Sequence, residues 1–373
     1  MLGLGTNRSM VDLEQVRCAV EAVHDPELGQ GLGELGMVRG IHRGRGGAVR
    51  VELALTTAGC PMTAELTRDV RAAVAPLCDD VVVDLTVMSE PDRRRLAERF
   101  LGSRPRSSAA DAQAVYAVAS GKGGVGKSSV AANLAVALAR QGRSVGLLDA
   151  DVWGYSVPQL FGVHRPPVAL YETMLPVQAH GVRLMSLGFL VEEDEPIVWR
   201  GPMLHKALTQ FVHDVHWGQL DVLVLDLPPG TGDVTLSVLE LLPEASLLVV
   251  TTPQQAARTV ASRVGVMARD VGMPVAGVVE NMTELVCAGC GEHTPLFGSG
   301  GGAQLAAELG APLLGRVPLD TELRAAGDAG VPVVLSAPAS ASARELMAVA
   351  GALRPVRRSL VGRQLGVDPL PQR

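Results

Sequence analysis

The stretch Gly121-Lys122-Gly123-Gly124-Val125-Gly126-Lys127-Ser128 decides the fold of the larger part of the chain. It lies between an apolar run at 115–119 and an alanine-rich helical pattern at 130–139. The stretch fits G-x-x-x-x-G-K-[ST], in which backbone N–H groups of the loop and of the following helix surround phosphates. The sequence therefore predicts a strand, a phosphate-binding loop and a helix, in that order.

Residue types within this loop indicate separate roles. In the motif, Lys127 reaches the terminal phosphates of a nucleotide and the Ser128 hydroxyl binds Mg²⁺. Of the 33 basic residues only Lys122, Lys127 and Lys206 are lysines, and the compact ammonium suits a phosphate nest better than a guanidinium does. We expect the loop to bind ATP through these residues: Gly121, Lys122, Gly123, Gly124, Val125, Gly126, Lys127, Ser128 and Ser129.

Apolar runs alternate with longer helical patterns over the last two thirds of the chain. This alternation predicts an α/β fold with a doubly wound, largely parallel sheet, that is, a P-loop NTPase domain. The predicted strands are 115–119, 145–148, 182–187, 222–225, 247–250, 275–279 and 313–317, and a helical stretch at 339–353 closes the domain.

Carboxylates stand where two of these predicted strands end. Asp149 and Asp151 follow one strand, and Asp226 follows another. Ligands of such sheets bind outside the carboxyl ends of the strands, so the three acids should converge on the phosphate loop. We expect Asp226 to hold Mg²⁺ through water, as a Walker B acid does. A carboxylate at this place can also cap a helix or form a turn, and that alternative stays open for Asp149.

The N-terminal part predicts a small α+β domain. Its pattern gives helices at 13–23 and 62–77, strands at 48–55 and 81–87, and a turn at 25–28 in which Asp25 and Glu27 shape the backbone. We expect the domain at 8–97, a linker at 98–113 that is rich in Ser, Arg and Pro, the NTPase domain at 114–353, and a loosely ordered tail at 354–373.

Composition excludes several classes of partner. The net charge of −6 over 373 residues gives no basic footprint for nucleic acid. No apolar segment is long enough for a signal peptide or a membrane span. Five cysteines, an odd number, favour reduced thiols. We therefore expect a cytoplasmic protein that uses neither nucleic acid nor a membrane.

Cys287 and Cys290 form the cysteine pair of the sequence, in a polar loop. Two thiolates two residues apart bind a metal centre from one side, but they do not complete a four-thiolate site. A homodimer would supply four, with a cluster on the two-fold axis. A zinc site completed by His293, a redox disulfide and a fortuitous turn stay open as alternatives. The other cysteines provide no second pair: Cys18, Cys60 and Cys78.

With its second lysine, Lys122, the loop resembles the deviant Walker A of the ATPase class that includes the nitrogenase iron protein and the partition and septum-positioning ATPases. The resemblance implies that Lys122 reaches across a homodimer to the partner's nucleotide, a contribution worth about 10³–10⁵ in rate for an arginine finger. It also implies that Asp151 positions the attacking water and that Asp149 supports the metal shell. Without the resemblance, Lys122 can equally be a solvated lysine on a loop.

Residues 114–350 resemble the Mrp-type iron–sulfur cluster carrier ATPases. The matching text includes DADVWGYSVPQLFG at 149–162, WGQLDVLVLDLPPGTGD at 217–233 and CAGCGE at 287–292. The resemblance implies that Cys287 and Cys290 bridge a cluster across a homodimer and that Asn281 reads the adenine edge. We expect the cluster to be of [4Fe–4S] type, and [2Fe–2S] stays open as the alternative. It further implies that ATP binding and hydrolysis are coupled to cluster transfer to apo iron–sulfur proteins, with cluster-assembly factors as partners.

Residues 12–90 resemble the small iron–sulfur-assembly domain often fused in front of this ATPase. DPELGQGLGELGMV at 25–38 and LTTAGCPM at 55–62 carry the likeness, which links Cys60 to cluster delivery. A cysteine just before a helix is placed for a reactive thiolate. Burial as a small apolar residue is the alternative.

Three other functions stay open at this point. The weakest is a nitrogenase-like reductase, which would need cysteines well apart in sequence to ligate its cluster. A partition or positioning ATPase would need a basic face or a basic amphipathic C-terminal helix, which the proline-broken tail does not offer. A zinc-stapled ATPase switch without a cluster would differ from a cluster carrier in its metal content after anaerobic purification.

Overall fold

A computed structural model of the chain describes residues 11–44, 48–56, 62–78, 80–102, 108–151, 154–170, 173–190, 201–286 and 289–354. Its contacts divide the chain into two compact units. The first comprises Met1–Ser108, Arg165–Gln178 and Asp214–Gly218, and the second comprises the remaining residues. Among the described residues, no helix combines the length and apolarity needed to cross a bilayer.

The first unit is built on a three-stranded sheet. Strand β2, Val49–Leu55, lies between β1, Val38–Arg43, which is antiparallel to it, and β3, Val81–Val87, which is parallel to it. The helices are α1, Leu13–Glu21; α2, Thr63–Val74; and α3, Glu90–Gly102.

The helices of the first unit bury apolar residues spaced four apart, which lie on one helix face. In α1 these are Val16 and Val20, and in α2 they are Leu66 and Val70. Asp25 forms the predicted turn, because its Oδ1 accepts the N–H groups of Glu27 and Leu28 at 2.9 and 2.8 Å, and burial raises the pKa of its carboxyl.

A short hairpin from the middle of the sequence belongs to the first unit. Strands β6, Val168–Leu170, and β7, Thr173–Leu175, pair antiparallel. Leu170 and Leu175 are buried in the same apolar cluster as the N-terminal helices. The domains predicted from sequence, at 8–97 and 114–353, do not place this hairpin with the N-terminal part. The boundaries of the two domains stay a prediction. The predicted linker also begins within α3, which ends at Gly102.

The second unit contains a largely parallel sheet. Its parallel strands run in the order β14-β12-β11-β4-β10-β5-β9. The chain extends from β4 toward β9 on one side and toward β14 on the other, which confirms the predicted doubly wound α/β fold. The strands are β4, Ala114–Ser120; β5, Val145–Asp149; β8, Val177–Ala179, at the boundary of the two units in sequence; β9, Val182–Ser186; β10, Val222–Asp226; β11, Ser246–Thr251; β12, Val275–Val286; β13, His293–Thr294; and β14, Leu313–Leu319.

Helices connect these strands. Helix α4 is buried along most of its length because alanine and other apolar residues fill it from Val130 to Leu138. The helices of this unit are α4, Lys127–Arg140; α5, Val157–Leu160; α6, Gly201–His213; α7, Asp233–Leu241; α8, Gln255–Asp270; α9, Gly301–Leu309; α10, Thr321–Asp328; α11, Val333–Ser336; and α12, Ala341–Ala352. Of the predicted tail, residues 355–373 lie outside the described residues.

Candidate nucleotide and cluster site

The phosphate loop joins β4 to α4 and turns on glycines. Gly124 and Gly126 have φ of 79° and 80°, a left-handed conformation that costs other residues free energy. A Cβ on Gly126 would meet the side-chain amide of Asn281, and one on Gly121 would meet the backbone of α8. A Cβ on Gly124 would have no neighbour within 4 Å. The loop is therefore packed against the protein at Gly121 and Gly126 and has an open side at Gly124.

Lys127 lies among the predicted carboxylates. Its side chain is 6% exposed, and its Nζ donates to Asp226 Oδ1 at 2.6 Å and lies 3.4 Å from Asp151 Oδ2. Ser128 Oγ is 3.3 Å from the same ammonium. The structure thus brings together the lysine, the serine and two acids that the sequence predicted to converge.

Asp149 and Asp226 lie side by side at the ends of neighbouring strands, because β5 and β10 pair in parallel and the two residues are register partners. Both carboxyls are fully buried. Burial, and secondarily the charge of Asp226, raises the pKa of Asp149 to about 8. Burial also raises the pKa of Asp226, and the charge of Lys127 opposes that shift.

Asp149 also organises the loop that follows it. Its Oδ1 accepts the N–H of Asp151 at 3.1 Å, and its Oδ2 accepts the Ser186 hydroxyl at 2.9 Å. These contacts are those of the turn-forming alternative. The support that Asp149 is expected to give to the metal shell stays a prediction.

The oxygen ligands at this edge fit Mg²⁺. Magnesium binds oxygen and is commonly held by one or two carboxylates together with phosphates and waters. Within the described residues Asp226 Oδ2 is buried and has no hydrogen-bond partner, which is the state of an atom prepared for a further ligand. Ser128, Asp149 and Asp226 are the residues that would hold the ion or its waters.

Lys122 makes a contact that the sequence did not predict. Its Nζ donates to Gln254 Oε1 at 3.0 Å, and its backbone oxygen accepts the Ser120 hydroxyl at 3.0 Å. Gln254 follows β11, whose neighbour is β4, so it stands at the same carboxyl edge. That position at a strand end was the signal that could have identified it.

Asn281 lies behind the phosphate loop, in β12. Its Nδ2 donates to the Val125 carbonyl at 2.9 Å, while its Oδ1 is buried with no hydrogen-bond partner in the described part of the chain. The next residue, Met282, has φ of 57°, a conformation that is strained for a residue with a side chain. The adenine contact implied for Asn281 stays a prediction.

Glu280, also in β12, is a residue that sequence reasoning missed. It is fully buried, and its carboxylate accepts the Gly302 N–H at 2.7 Å and the Arg316 Nε–H at 3.1 Å. The bond to Gly302 joins β12 to the start of α9. An acid directly after the apolar run 275–279 was the signal available in the sequence.

The cysteine pair follows the end of β12. The strand runs to Val286 and pairs antiparallel with β13, and residues 287–292 lie between the two strands in sequence. Cys287 lies outside the described residues, and so does Cys60 of the N-terminal part. Cys290 is exposed and not in a disulfide. We call the segment from Leu285 to Thr294 the cysteine hairpin.

His293, the alternative zinc ligand, is engaged on this hairpin. Its Nδ1 lies 2.9 Å from Glu284 Oε1, and the two side chains are 59% and 39% exposed. No group of three or more metal-ligating His, Cys, Asp or Glu side chains is found within the described ranges.

The parallel sheet, the glycine loop and the lysine on two strand-end acids define a P-loop NTPase. Residues 111–354 match the ParA family, which is described as NUBPL iron-transfer P-loop NTPase. The chain belongs to this family. Residues 13–87 match the iron–sulfur cluster assembly protein family. The two matches confirm the resemblances of residues 114–350 and 12–90.

Relatives extend over nearly the whole chain. The chain is 48% identical over 367 residues to an iron–sulfur cluster carrier protein of Mycobacterium bovis, covering 95% of this chain and 96% of that protein. An iron–sulfur cluster carrier protein of Synechocystis is 42% identical, with 91% and 96% covered. Among solved structures, a nucleotide-binding protein from Archaeoglobus fulgidus in complex with ADP is 38% identical, with a TM-score of 0.53 over 59% of this chain and 87% of that one.

Proposed function

We propose that the chain is an ATP-hydrolysing carrier that binds an iron–sulfur cluster and transfers it to apo-proteins. One observation carries the proposal: strand β12 belongs to both candidate sites. Asn281 of this strand contacts the phosphate loop, and Val286, its last residue, immediately precedes Cys287 in sequence. The names of the relatives, which are cluster carriers, support the same conclusion.

The nucleotide half of the proposed function uses the buried edge of the sheet. The open side of the loop receives the phosphates of ATP, Lys127 exchanges a carboxylate for the terminal phosphate, and Asp151 orients the attacking water. Mg²⁺, when bound, neutralises phosphate charge. Lys122 would act on the partner's nucleotide in a homodimer, and Asn281 would contact the adenine.

The cluster is cargo in this proposal, and it needs two copies of the chain. Cys287 and Cys290 from each copy would supply the four thiolates of a [4Fe–4S] cluster, on the two-fold axis of a homodimer. Cys290 is exposed, as a ligand shared between subunits and offered to an acceptor has to be. Apo iron–sulfur proteins and cluster-assembly factors would be the partners, in the cytoplasm.

Coupling between the two halves would pass along β12. Rearrangement of the loop around phosphates alters the carbonyl of Val125 to which Asn281 donates, and the strand extends from there to the cysteine hairpin. The Glu280 bond to Gly302 adds α9 to the same unit. A change in one site then biases the other, which is the requirement for coupling.

Iron and acid-labile sulfide per dimer after anaerobic reconstitution test the proposal. We expect about four of each in the native chain, none in Cys287→Ala/Cys290→Ala, and unchanged binding in the control Cys18→Ala, which removes another exposed thiol. ATP hydrolysis should persist in all three. Zinc in place of iron, or iron that persists in the double variant, would refute the bridging cluster. Equal transfer rates to an apo-ferredoxin with and without ATP would refute the coupling.

A further inference from the structure

Lys122 is held by a neutral acceptor of its own chain. The 3.0 Å bond from its Nζ to Gln254 Oε1 is part-buried, and within the described residues Lys122 has no ion pair. A hydrogen bond from a charged donor is stronger than one between neutral groups. This contact therefore fixes a side chain that would otherwise move freely on a loop.

The backbone around Lys122 is fixed as well. The Ser120 hydroxyl donates to the Lys122 carbonyl at 3.0 Å, and Gly121 packs against the backbone of Val260 and Ala261 in α8, with no room for a Cβ. Gln254 directly precedes α8, and the residue before the lysine lies against the same helix. The juxtaposition of Lys122 and Gln254 follows from the fold and does not depend on one rotamer alone.

Gln254 is at a position where the side chain usually forms a capping hydrogen bond to the helix. It is the N-cap of α8, with φ of −60° and ψ of 133°, yet its side chain makes no capping hydrogen bond. An N-cap side chain ordinarily accepts from the N–H of the second or third helical residue. Here the side-chain oxygen accepts from Lys122 instead.

We propose that Gln254 is a positioning residue that retains Lys122 within its own chain and releases it when a second copy binds ATP alongside. The inference rests on the proposed role of Lys122 in a partner's nucleotide site. To reach across a dimer, the Lys122 side chain has to leave Gln254. The bond therefore opposes assembly of the active dimer and keeps hydrolysis low in an isolated chain.

Opposite substitutions at Gln254 should have opposite effects. Gln254→Ala removes the acceptor, so the dissociation constant of the dimer formed with a non-hydrolysable ATP analogue should fall about tenfold, as for loss of one bond to a charged group. Gln254→Glu replaces the amide by a carboxylate and should raise the constant by a similar factor. A general loss of local structure would move both variants in one direction.

Sedimentation of the full chain with the analogue, over a range of protein concentrations, measures these constants. Both shifts should disappear in the Lys122→Ala background, because the only route of the effect is the lysine. Shifts of the same sign, no shift in either variant, or shifts that persist without Lys122 would overturn the role of Gln254.

The proposed function is tested separately by the hydrolysis rate of Lys122→Ala. A rate equal to that of the native chain would remove the catalytic role of Lys122, whatever Gln254 does. A large loss of rate in Lys122→Ala, together with unchanged dimer constants in both Gln254 variants, would retain that catalytic role and refute the positioning role.

Discussion

The phosphate edge of the sheet and the cysteine hairpin differ in almost every physical respect. At the phosphate edge, Lys127, Asp149 and Asp226 are buried and in mutual contact or register. On the hairpin, Cys290 and His293 are exposed. A buried set of charges is preorganised by one chain, whereas two thiolates are an incomplete ligand set for a four-thiolate site. One copy therefore contains the groups that would hold a nucleotide, whereas the proposed cluster would take its ligands from two copies.

Removal of the buried lysine should separate the two regions most strongly. In Lys127→Ala we expect hydrolysis to fall on the order of 10²–10³-fold, the effect of losing one preorganised electrostatic contact, with cluster content unchanged. Phosphate release and iron analysis on the same sample measure both. Lys206→Ala, at an exposed position of α6, is the control. Loss of iron in Lys127→Ala alone would show that cluster binding itself requires the lysine.

Titration of Asp149 should make the stability of the unliganded chain depend on pH. Its pKa is about 8 in the folded chain, against an ordinary value near 3.8, so between those values the folded state binds the extra proton. Stability conferred by this group is complete below pH ~4 and is lost as pH rises through 8, by up to about 1.4 kcal/mol per unit.

Urea unfolding at pH 6, 7 and 8 without Mg²⁺ and nucleotide checks this slope. Asp149→Asn cannot titrate, and its stability should fall less steeply over the same range. Parallel slopes for the two proteins would contradict a raised pKa at Asp149, and the phosphate edge would then be less desolvated than the comparison requires.

Two glycines of the loop allow strain and crowding to be separated. Gly124 and Gly126 share a φ near 80°, but only Gly126 faces Asn281. Gly124→Ala should cost about 1 kcal/mol from its left-handed backbone. Gly126→Ala should cost roughly 1–3 kcal/mol more, as overpacking does. Unfolding midpoints compare the two, and equal losses would mean that Asn281 yields without cost.

Substitution of His293 should have the smallest effect. His293→Ala removes an exposed pair with Glu284, so we expect a stability change within about 0.5 kcal/mol and unchanged iron and sulfide after reconstitution. A fall in bound metal would identify the imidazole as a ligand and make the hairpin a more complete site within one chain.

Local pattern was sufficient where apolar residues predominate in a run. The strand at 81–87 was predicted with its observed bounds, and the loop and its three acids converge as predicted. Strand β12 was predicted to end at 279 but runs to Val286. Glu280 and Asn281 interrupt its apolar run, and only distant partners such as Arg316 and Val125 explain their burial.

Contacts distant in sequence could not be predicted. Strand β1 was missed because VRGIHR lacks apolar alternation, with Gly40 and His42 among its residues. The bond between Lys122 and Gln254 joins residues 132 positions apart. Neither the strand nor the hydrogen bond leaves a local pattern, so each depends on the assembly of its own sheet.

The interleaving of the two units in sequence has a consequence for biosynthesis. The apolar cluster of the N-terminal unit includes Leu170 and Leu175, and the last segment of that unit, Asp214–Gly218, ends 110 residues after Ser108. At roughly 5–20 residues per second, about 6–20 s pass on the ribosome before the unit has all its parts. The first unit is therefore complete only after strands β4, β5 and β9 of the parallel sheet have also been synthesised.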